Sequence, residues 1–404
     1  MNSFLAHWRE AATLILAAGI KRTAAAESLK TGGVPKNASN PKVNRSDTSC
    51  QFDYEVLLLQ RSSKSGFMPN AHVFPGGLVD AADFSSEWLD LFQDVRHSPN
   101  FALGRVKQPP STRPPIFATD RMKLGSPVPG EVAFRICAIR ETFEESGVLL
   151  VVPKQAFNGF NTTQHKSAGG QNTGELTALA GLLEEKELMH WRLSVIENPC
   201  NFIRMCRELE CLPNIWALYE WGNWLTPVGR KEKQRRYDTA FFICCLEEKP
   251  HTVQDEKEIV TFKWSSPLET ILSFQAREIW IAPPQFYEMC RMYRFPLLHD
   301  LHSFACLRSL EGCEQWLPVQ LSSSEGFISL LPGDSLYPKN VDLFRESDVS
   351  VTTEKSLEEL QKAKTSIHRM VLHDPYTVSI HINITPKYRH LAPHAAPFDI
   401  DSHL

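Results

Sequence analysis

The sequence predicts an α/β fold, and three observations predict it. Apolar runs of strand length recur between turn signals. One run carries a helical rather than an alternating period. Prolines, glycines and small polar residues separate the two kinds. The first strand is AATLILAAGI, Ala11 to Ile20, apolar throughout and ending near Gly19. It is too short to cross a bilayer, which takes about 20 residues. Arg9, Lys21 and Arg22 around it leave a weak targeting segment as the other reading.

Residues 21–50 are small and polar without apolar periodicity, the pattern of a flexible loop. YEVLLLQRS, Tyr54 to Ser62, is a buried strand ending in charge. VFPGGLVDAAD, Val73 to Asp83, is a turn region: Pro75 fixes one dihedral angle, while Gly76 and Gly77 open conformations that other residues resist. QPPSTRPP and GSPVPGE make the following stretch irregular, with a short helix around Ser85 to Val95. From Glu131 a helix begins. Val132, Ile136, Ile139 and Phe143 form one stripe, and Gly147 is placed to end it. A second polar loop spans Phe157 to Glu175. Leu176 to Tyr219 then reads as a helical insertion broken at Pro199 and Pro213. Arg235 to Leu246 and Glu258 to Ser266 have strand character. Two helices follow with a joint at Pro283 and Pro284, and the tail after about Ser322 is mixed, with strand alternation from Pro375 to Pro386.

Bulk properties narrow the function. A chain of 404 residues exceeds one ordinary core and implies two domains or one domain with large insertions. At 42% apolar and 22% charged it has a globular composition. The net charge of −4 gives no overall basic surface for nucleic acid, so local groups must meet any anionic ligand. Ten cysteines without a C-x-x-C pair read as reduced and mostly buried, with no zinc signature.

The densest local signal is ICAIRETFEESGVLL, Ile136 to Leu150. With the apolar stripe facing a core, Glu141 lies opposite it and Glu144 and Glu145 flank that direction. Three acids so close repel, the more so as water is excluded. A hard divalent ion turns that repulsion into binding. The other reading is a solvated acidic face on which Arg140 pairs with Glu144 at i+4.

PGGLVDAAD followed by RETFEESGV resembles the two halves of the Nudix hydrolase signature, G-x5-E-x7-R-E-U-x-E-E-x-G-U, with U a bulky apolar residue. Arg140, Glu141, Glu144, Glu145 and Gly147 match the second half, Val148 closes it, and Thr142 stands at the first U. In the first half Gly77 matches, and Asp83 stands where the family has Glu. Residues 84–139 then stand where the family has seven, which makes 84–130 an insertion in the loop before the helix. Glu131 is the other candidate for the missing acid. WLTPVGRKEKQRRYDTAFFICCL, DEKEIVTFKWSSPLETI and IAPPQFYE resemble one branch, the peroxisomal coenzyme A and acyl-coenzyme A diphosphatases with a split signature.

That resemblance implies an α/β/α sandwich around a mixed sheet in a domain over residues 11–293, with the insertions 84–130 and 176–219 and a C-terminal extension over 294–404. It implies hydrolysis of the diphosphate of coenzyme A and acyl-coenzyme A, assisted by Mg²⁺ or Mn²⁺. NADH, ADP-ribose or capped RNA are alternative substrates, and a non-catalytic Nudix-like binding module is the alternative of another class.

By the same resemblance Glu141, Glu144 and Glu145 hold the metal. Glu141, Glu145 and Glu258 are the catalytic candidates, with Asp255 and Glu256 competing with Glu258 as base. Arg140 orients a glutamate and counts among the substrate-binding group with Phe74, Gly76 and Gly77, whose backbone approaches the helix start. LLLQRSSKSGFMPNAHVFPGG keeps Leu57, Leu58, Arg61, Ser62 and Phe74 to Gly77 of related coenzyme A hydrolases and departs at Leu59, Gly66 and Asn70. Arg61 and Lys64 are the phosphate partners there, and GRKEKQRR, Gly229 to Arg236, is a second basic cluster or a solvated hairpin tip. Ser402, His403 and Leu404 resemble the tripeptide that peroxisomal import receptors read. They imply a peroxisome, with the mitochondrion as the alternative. The split signature predicts that Gly77 and Glu141 meet in space.

Overall fold

The computed structural model describes residues 8–20, 51–157, 185–227, 236–253, 259–323, 326–339, 341, 351–353, 355–356, 359–360 and 365–394. The polar stretch 21–50, most of the loop predicted over 157–175 and most of the basic cluster from Gly229 lie outside them.

The chain runs β1 (Arg9–Gly19), β2 (Tyr54–Arg61), β3 (Ala71–Val73), β4 (Gly76–Leu78), α1 (Trp88–Leu91), α2 (Pro115–Ala118) and α3 (Gly130–Ser146). Next come β5 (Val151–Pro153), α4 (Glu185–Glu197), α5 (Cys200–Glu208), β6 (Cys211–Pro213), β7 (Tyr219–Leu225), β8 (Tyr237–Leu246) and β9 (Ile259–Ser265). Then follow α6 (Pro267–Gln275), β10 (Trp280–Ile281), α7 (Pro283–Met292), α8 (Leu298–Ser309) and β11 (Gln315–Trp316). The last five strands are β12 (Val319–Ser323), β13 (Gly326–Leu330), β14 (Val351–Thr352), β15 (His368–Asp374) and β16 (Thr377–Ile382).

β1 is the spine of a nine-stranded mixed sheet ordered β10-β3-β2-β1-β8-β7-β11, with β4 added to β1 and β9 to β2. Its unbroken apolar run follows from burial on both faces. Ala12, Leu14, Leu16 and Ala18 enter one core with α3; Ile15 and Ala17 enter a second core with residues of α6, α7 and α8. The result is the α/β/α sandwich. β1 lies parallel to β8 over ten residue pairs and antiparallel to β2. β1 and β2 pair only at Ala17–Gly19 with Tyr54–Val56. Beyond that point β4 pairs with β1, and β3 pairs with β2 through Leu59 and Gln60. The Gly76–Gly77 turn therefore enters where the two strands part.

Several expectations need adjustment. The 84–130 insertion is irregular, as its prolines require, yet it is part of the core rather than an external loop. Phe84, Trp88, Phe92, Phe101, Ile116 and Phe117 are buried there, and Phe134 of α3 meets Phe84 and Phe117 edge-on at 5.7 and 6.3 Å. That covering makes α3 buried nearly all round instead of along one stripe. The helical insertion ends at Glu208, not Tyr219, because Cys211 returns to a strand that pairs with β5. Pro283 and Pro284 start α7 at its first two positions, where a missing N–H costs nothing, instead of hinging two helices. Downstream of residue 293, Leu301 and Ala305 of α8 pack into the second core, and β11 pairs with β7. The five-stranded sheet β14-β12-β13-β15-β16 follows β11. No described helix is long and apolar enough to cross a membrane.

Candidate active site

The site is built where α3 crosses the Gly-Gly turn. Thr13 of β1 donates its hydroxyl to the Pro75 carbonyl at 2.8 Å, pinning the turn to the spine strand. Gly76 and Gly77 then lie in register with Thr13 and Ala12. The Gly76 N–H donates to Glu145 Oε2 at 2.9 Å. A Cβ on Gly77 would fall inside the Glu141 carboxylate, and one on Gly76 would collide with the Ala12 carbonyl. Close approach of backbone to carboxylate is what requires glycine here. The two halves of the signature, with residues 84–139 between them, thus meet as expected.

Arg140 lies at the centre and is 2% exposed. Its Nε and Nη2 donate to Asp83 Oδ1 and Oδ2 at 2.8 and 2.9 Å. Nη1 donates to Glu141 Oε1 at 2.8 Å and Glu144 Oε1 at 2.7 Å, and Nη2 also reaches the Leu78 carbonyl at 3.1 Å. This buried guanidinium is spent on the protein, which removes Arg140 from the substrate-binding group and leaves it as the residue that positions two glutamates. Asp83, 1% exposed, also accepts the Asp80 N–H at 2.8 Å and so holds its own turn. It occupies the place of the signature's missing acid. Glu131 instead pairs with Arg113 and Asn100.

Burial pushes the Glu141 carboxyl up to about 7; Arg140 pulls the other way, and the charges of Glu144 and Asp83 add to the rise. Arg140 itself is held well above its ordinary value, because Asp83 and Glu141 outweigh the burial that opposes its charge. Four acids thus surround one guanidinium that bonds three of them. A cluster of carboxylate oxygens, with the ionisation of Glu141 resisted, is the donor chemistry that a hard divalent cation satisfies. Among the described residues no three His, Cys, Asp or Glu side chains already stand in a metal-ligating arrangement. In this state Arg140 takes the inner oxygens of Glu141 and Glu144, and Glu145 is turned to Gly76.

The remaining predicted residues separate into three groups. Phe74 is 1% exposed in the core on the other side of the sheet, so it is a packing residue and not a substrate contact. Arg61 shapes the loop after β2: its Nε donates to Ser65 Oγ and the Phe67 carbonyl, both at 3.1 Å, and Nη2 to Ser65 Oγ at 2.9 Å. Lys64 is exposed at that loop. Asn70 has φ +63°, a left-handed conformation that asparagine tolerates best after glycine, which accounts for its place where related hydrolases have glycine. Glu258, Asp255 and Glu256 lie outside the described residues. The chain on either side is anchored near the site: the Val253 N–H donates to the Ser146 carbonyl at 2.8 Å, and Ile259 pairs with Arg61.

Sequence reasoning missed Thr13, Asp80 and Arg192. Arg192 of α4, 3% exposed, donates from Nε to the Glu144 carbonyl at 2.9 Å and ties the helical insertion to the carboxylate helix. Thr13 was the one hydroxyl inside an apolar strand, a readable signal. Arg192 had none, since its partner lies 48 residues away.

A family model described as the NUDT19 Nudix domain matches residues 8–292, and one described as the NUDT19 C-terminal domain matches residues 320–383. The latter span falls on the five-stranded sheet. A Gallus gallus protein named acyl-coenzyme A diphosphatase NUDT19 is 49% identical over 97% of this chain and 96% of its own. Proteins of the same name from Xenopus laevis and Homo sapiens are 47% and 42% identical. They cover 97% and 96% of this chain and 97% and 94% of their own.

Proposed function

We propose, from the premise that this chain belongs to the NUDT19 family of Nudix hydrolases, that it cuts the diphosphate bond of coenzyme A and acyl-coenzyme A. The products are 3′,5′-ADP and (acyl-)4′-phosphopantetheine. The observation that carries the reading is the closure of the split signature: Gly76 N–H on Glu145 and Gly77 against Glu141, with all three glutamates of the second half retained. Retention of those acids sets aside the non-catalytic module.

Nudix hydrolases generally use divalent metal ions. Glu141, Glu144 and Glu145 are the residues that would hold one here, and we assign Mg²⁺ or Mn²⁺ from their hard oxygen donors. When bound, such an ion neutralises the diphosphate and lowers the pKa of its water. The protein's own share is positional. Asp83 fixes Arg140, and Arg140 fixes the near oxygens of Glu141 and Glu144. Glu145 locks the Gly76 backbone. Glu141, with a carboxyl near 7, can take a proton at neutral pH and is the base we favour among the described residues; Glu258 is its competitor. Exposed Lys64 offers a cation to a substrate phosphate.

The test is product analysis with coenzyme A and Mg²⁺. Glu145→Gln should lower turnover by about 10²-fold or more, the scale seen when groups that tune a metal site are lost. Undiminished turnover would remove the assignment. A parallel panel of NADH, ADP-ribose and capped RNA should be cut more slowly than coenzyme A. Ser402-His403-Leu404, outside the described residues, supports import into peroxisomes through the receptor that reads such tripeptides. Deleting the three residues should leave the protein outside that organelle; unchanged import, or arrival in mitochondria, would refute it.

A further inference from the structure

A second charged centre lies on the opposite face of the sheet, between β7, α7, α8 and the segment Pro386–His390. It lines a partly open pocket of about 20 Å³ with Arg291, Arg308, His390, Trp221, Glu314 and Lys387 among others. A site needs about 10–15 Å³ to hold one water, so this space fits a single small species. Two guanidinium nitrogens of residues that line it have no partner, Arg291 Nη2 and Arg308 Nε, while the His390 imidazole faces the Trp221 backbone. Arg291 and Arg308 are each 2% exposed. Buried donors without acceptors are costly, charged ones most of all.

Charge decides what the missing partner is. Arg291 Nη1 bonds both oxygens of Glu288 at 3.1 Å, and that carboxylate also accepts the indole N–H groups of Trp221 and Trp224 at 2.7 and 3.0 Å. Lys387 pairs with Glu314 at 2.6 Å. Arg308 alone among these cations has no carboxylate against it. Its Nη1 meets the Gly312 carbonyl at 3.1 Å and its Nη2 the Glu220 carbonyl. The Glu220 carboxylate is taken by Arg113. Burial pulls the Arg308 guanidinium down to about 10, and burial with the charges of Arg291 and Arg308 pushes the His390 imidazole well below its ordinary value. Arg113 and buried Arg135 already share Glu220 and Glu131, so Arg308 is one cation more than these acids balance. Water would fill the space without removing that excess.

We propose that the pocket between Arg291, Arg308 and His390 is a binding site for one small inorganic anion of chloride size, which supplies the acceptor that the two guanidinium groups lack. The anion would also fasten the C-terminal segment to the body. His390 packs edge-on to Trp221 at 4.7 Å, and the Leu391 carbonyl accepts Arg291 Nε at 3.0 Å, so the segment already rests on one of the arginines that the anion would join.

The full chain tests this in two ways. Crystals grown with sodium bromide should show an anomalous peak between Arg308 Nε and Arg291 Nη2. In solution, Tm should rise saturably as chloride replaces gluconate at fixed ionic strength, and Arg308→Gln should lose the rise. A water at that position, or a Tm blind to the exchange in the wild type, overturns the proposal. A bromide peak with no Tm response would mean an adventitious ion only, and also overturns it. If Arg308→Gln fails to fold, the two wild-type measurements still decide.

Discussion

Half-buried Glu141 and fully buried Glu220 are both carboxylates held by an arginine, and their surroundings move them in opposite directions. Glu141 shares Arg140 with Asp83 and Glu144, so one cation serves three acids, and burial prevails: its carboxyl rises to about 7. At Glu220 burial acts in the same sense, but Arg113 outweighs it with help from Arg135 and Arg308, and the carboxyl is held below its ordinary value. One region has a surplus of acid and the other a surplus of base. Charge left uncompensated inside a fold is costly unless something binds it. A surplus maintained at a given place is therefore a physical pointer to a ligand of opposite sign.

The contrast is broken most severely by removing acid from the basic region. Glu220→Gln should cost about 3–5 kcal/mol in urea unfolding, because it removes the fully buried carboxylate that both Nη atoms of Arg113 hold and leaves Arg308 with one acid fewer beside it. It should also steepen the chloride dependence of Tm, and a flat response would argue that the two arginines do not share a field. Asp83→Ala is the counterpart in the acidic region. It should cost less, about 3 kcal/mol, since Glu141 and Glu144 still pair with Arg140. Its activity should fall further than its stability suggests, with Asp83→Glu, the family's residue, recovering most of it. Loss of stability with unchanged kcat would make Asp83 a folding residue only.

The two regions also differ in how much could be read beforehand. The acidic centre draws Arg140, Glu141, Glu144 and Glu145 from one turn and a half of helix, and Gly76 and Gly77 from one turn, so local spacing exposes it. The basic centre does not have that property. Glu220 meets Arg113 across 107 residues, and His390 meets Trp221 through a segment near the other end of the chain. A polar residue made interior by a distant partner carries no local sign. This is why the sequence offers no strand for β7, YEWGNWL with Glu220 near its start, and why β6, Cys211–Pro213, falls inside the helical insertion predicted over 176–219. β1, whose burial comes from its own apolar run, was read correctly. The same limit applies to α3: its stripe was visible, while the aromatic cover from 84–130 that buries its remaining faces was not.

Stability against pH sharpens the comparison. A carboxyl raised to about 7 in the fold, against about 4.5 in the unfolded chain, keeps its proton when the unfolded chain has lost it. Below about 4.5 both states are protonated and the group is neutral in the balance. Between about 4.5 and 7 it removes up to about 3 kcal/mol as pH rises. Glu220 has the opposite sign: its lowered carboxyl adds stability above the unfolded value, lost as pH falls through the folded one. Urea unfolding of Glu141→Gln between pH 5 and 8 should therefore lack the decline seen in the wild type. Mg²⁺ should flatten the wild-type curve as well, because a bound cation favours the ionised form. A wild-type curve with no decline in the absence of metal would mean that Arg140 already neutralises Glu141.

The smallest effect on stability is expected at Gly77, and it separates contact from charge. Gly77→Ala leaves every charge in place and adds one methyl group where the Glu141 carboxylate lies. Because Glu141 ends a flexible side chain, the methyl can be accommodated by displacing it, at about 1–3 kcal/mol for local overpacking. That displacement takes the carboxylate off Arg140 and away from any ion shared with Glu144 and Glu145. Turnover of coenzyme A should then fall at least about tenfold, since a misplacement of about 1 Å at a reacting centre can cost 10²-fold. KM should change little if Gly77 does not itself bind substrate. The opposite split, KM raised with kcat intact, would place Gly77 in the substrate pocket and make its nearness to Glu141 incidental.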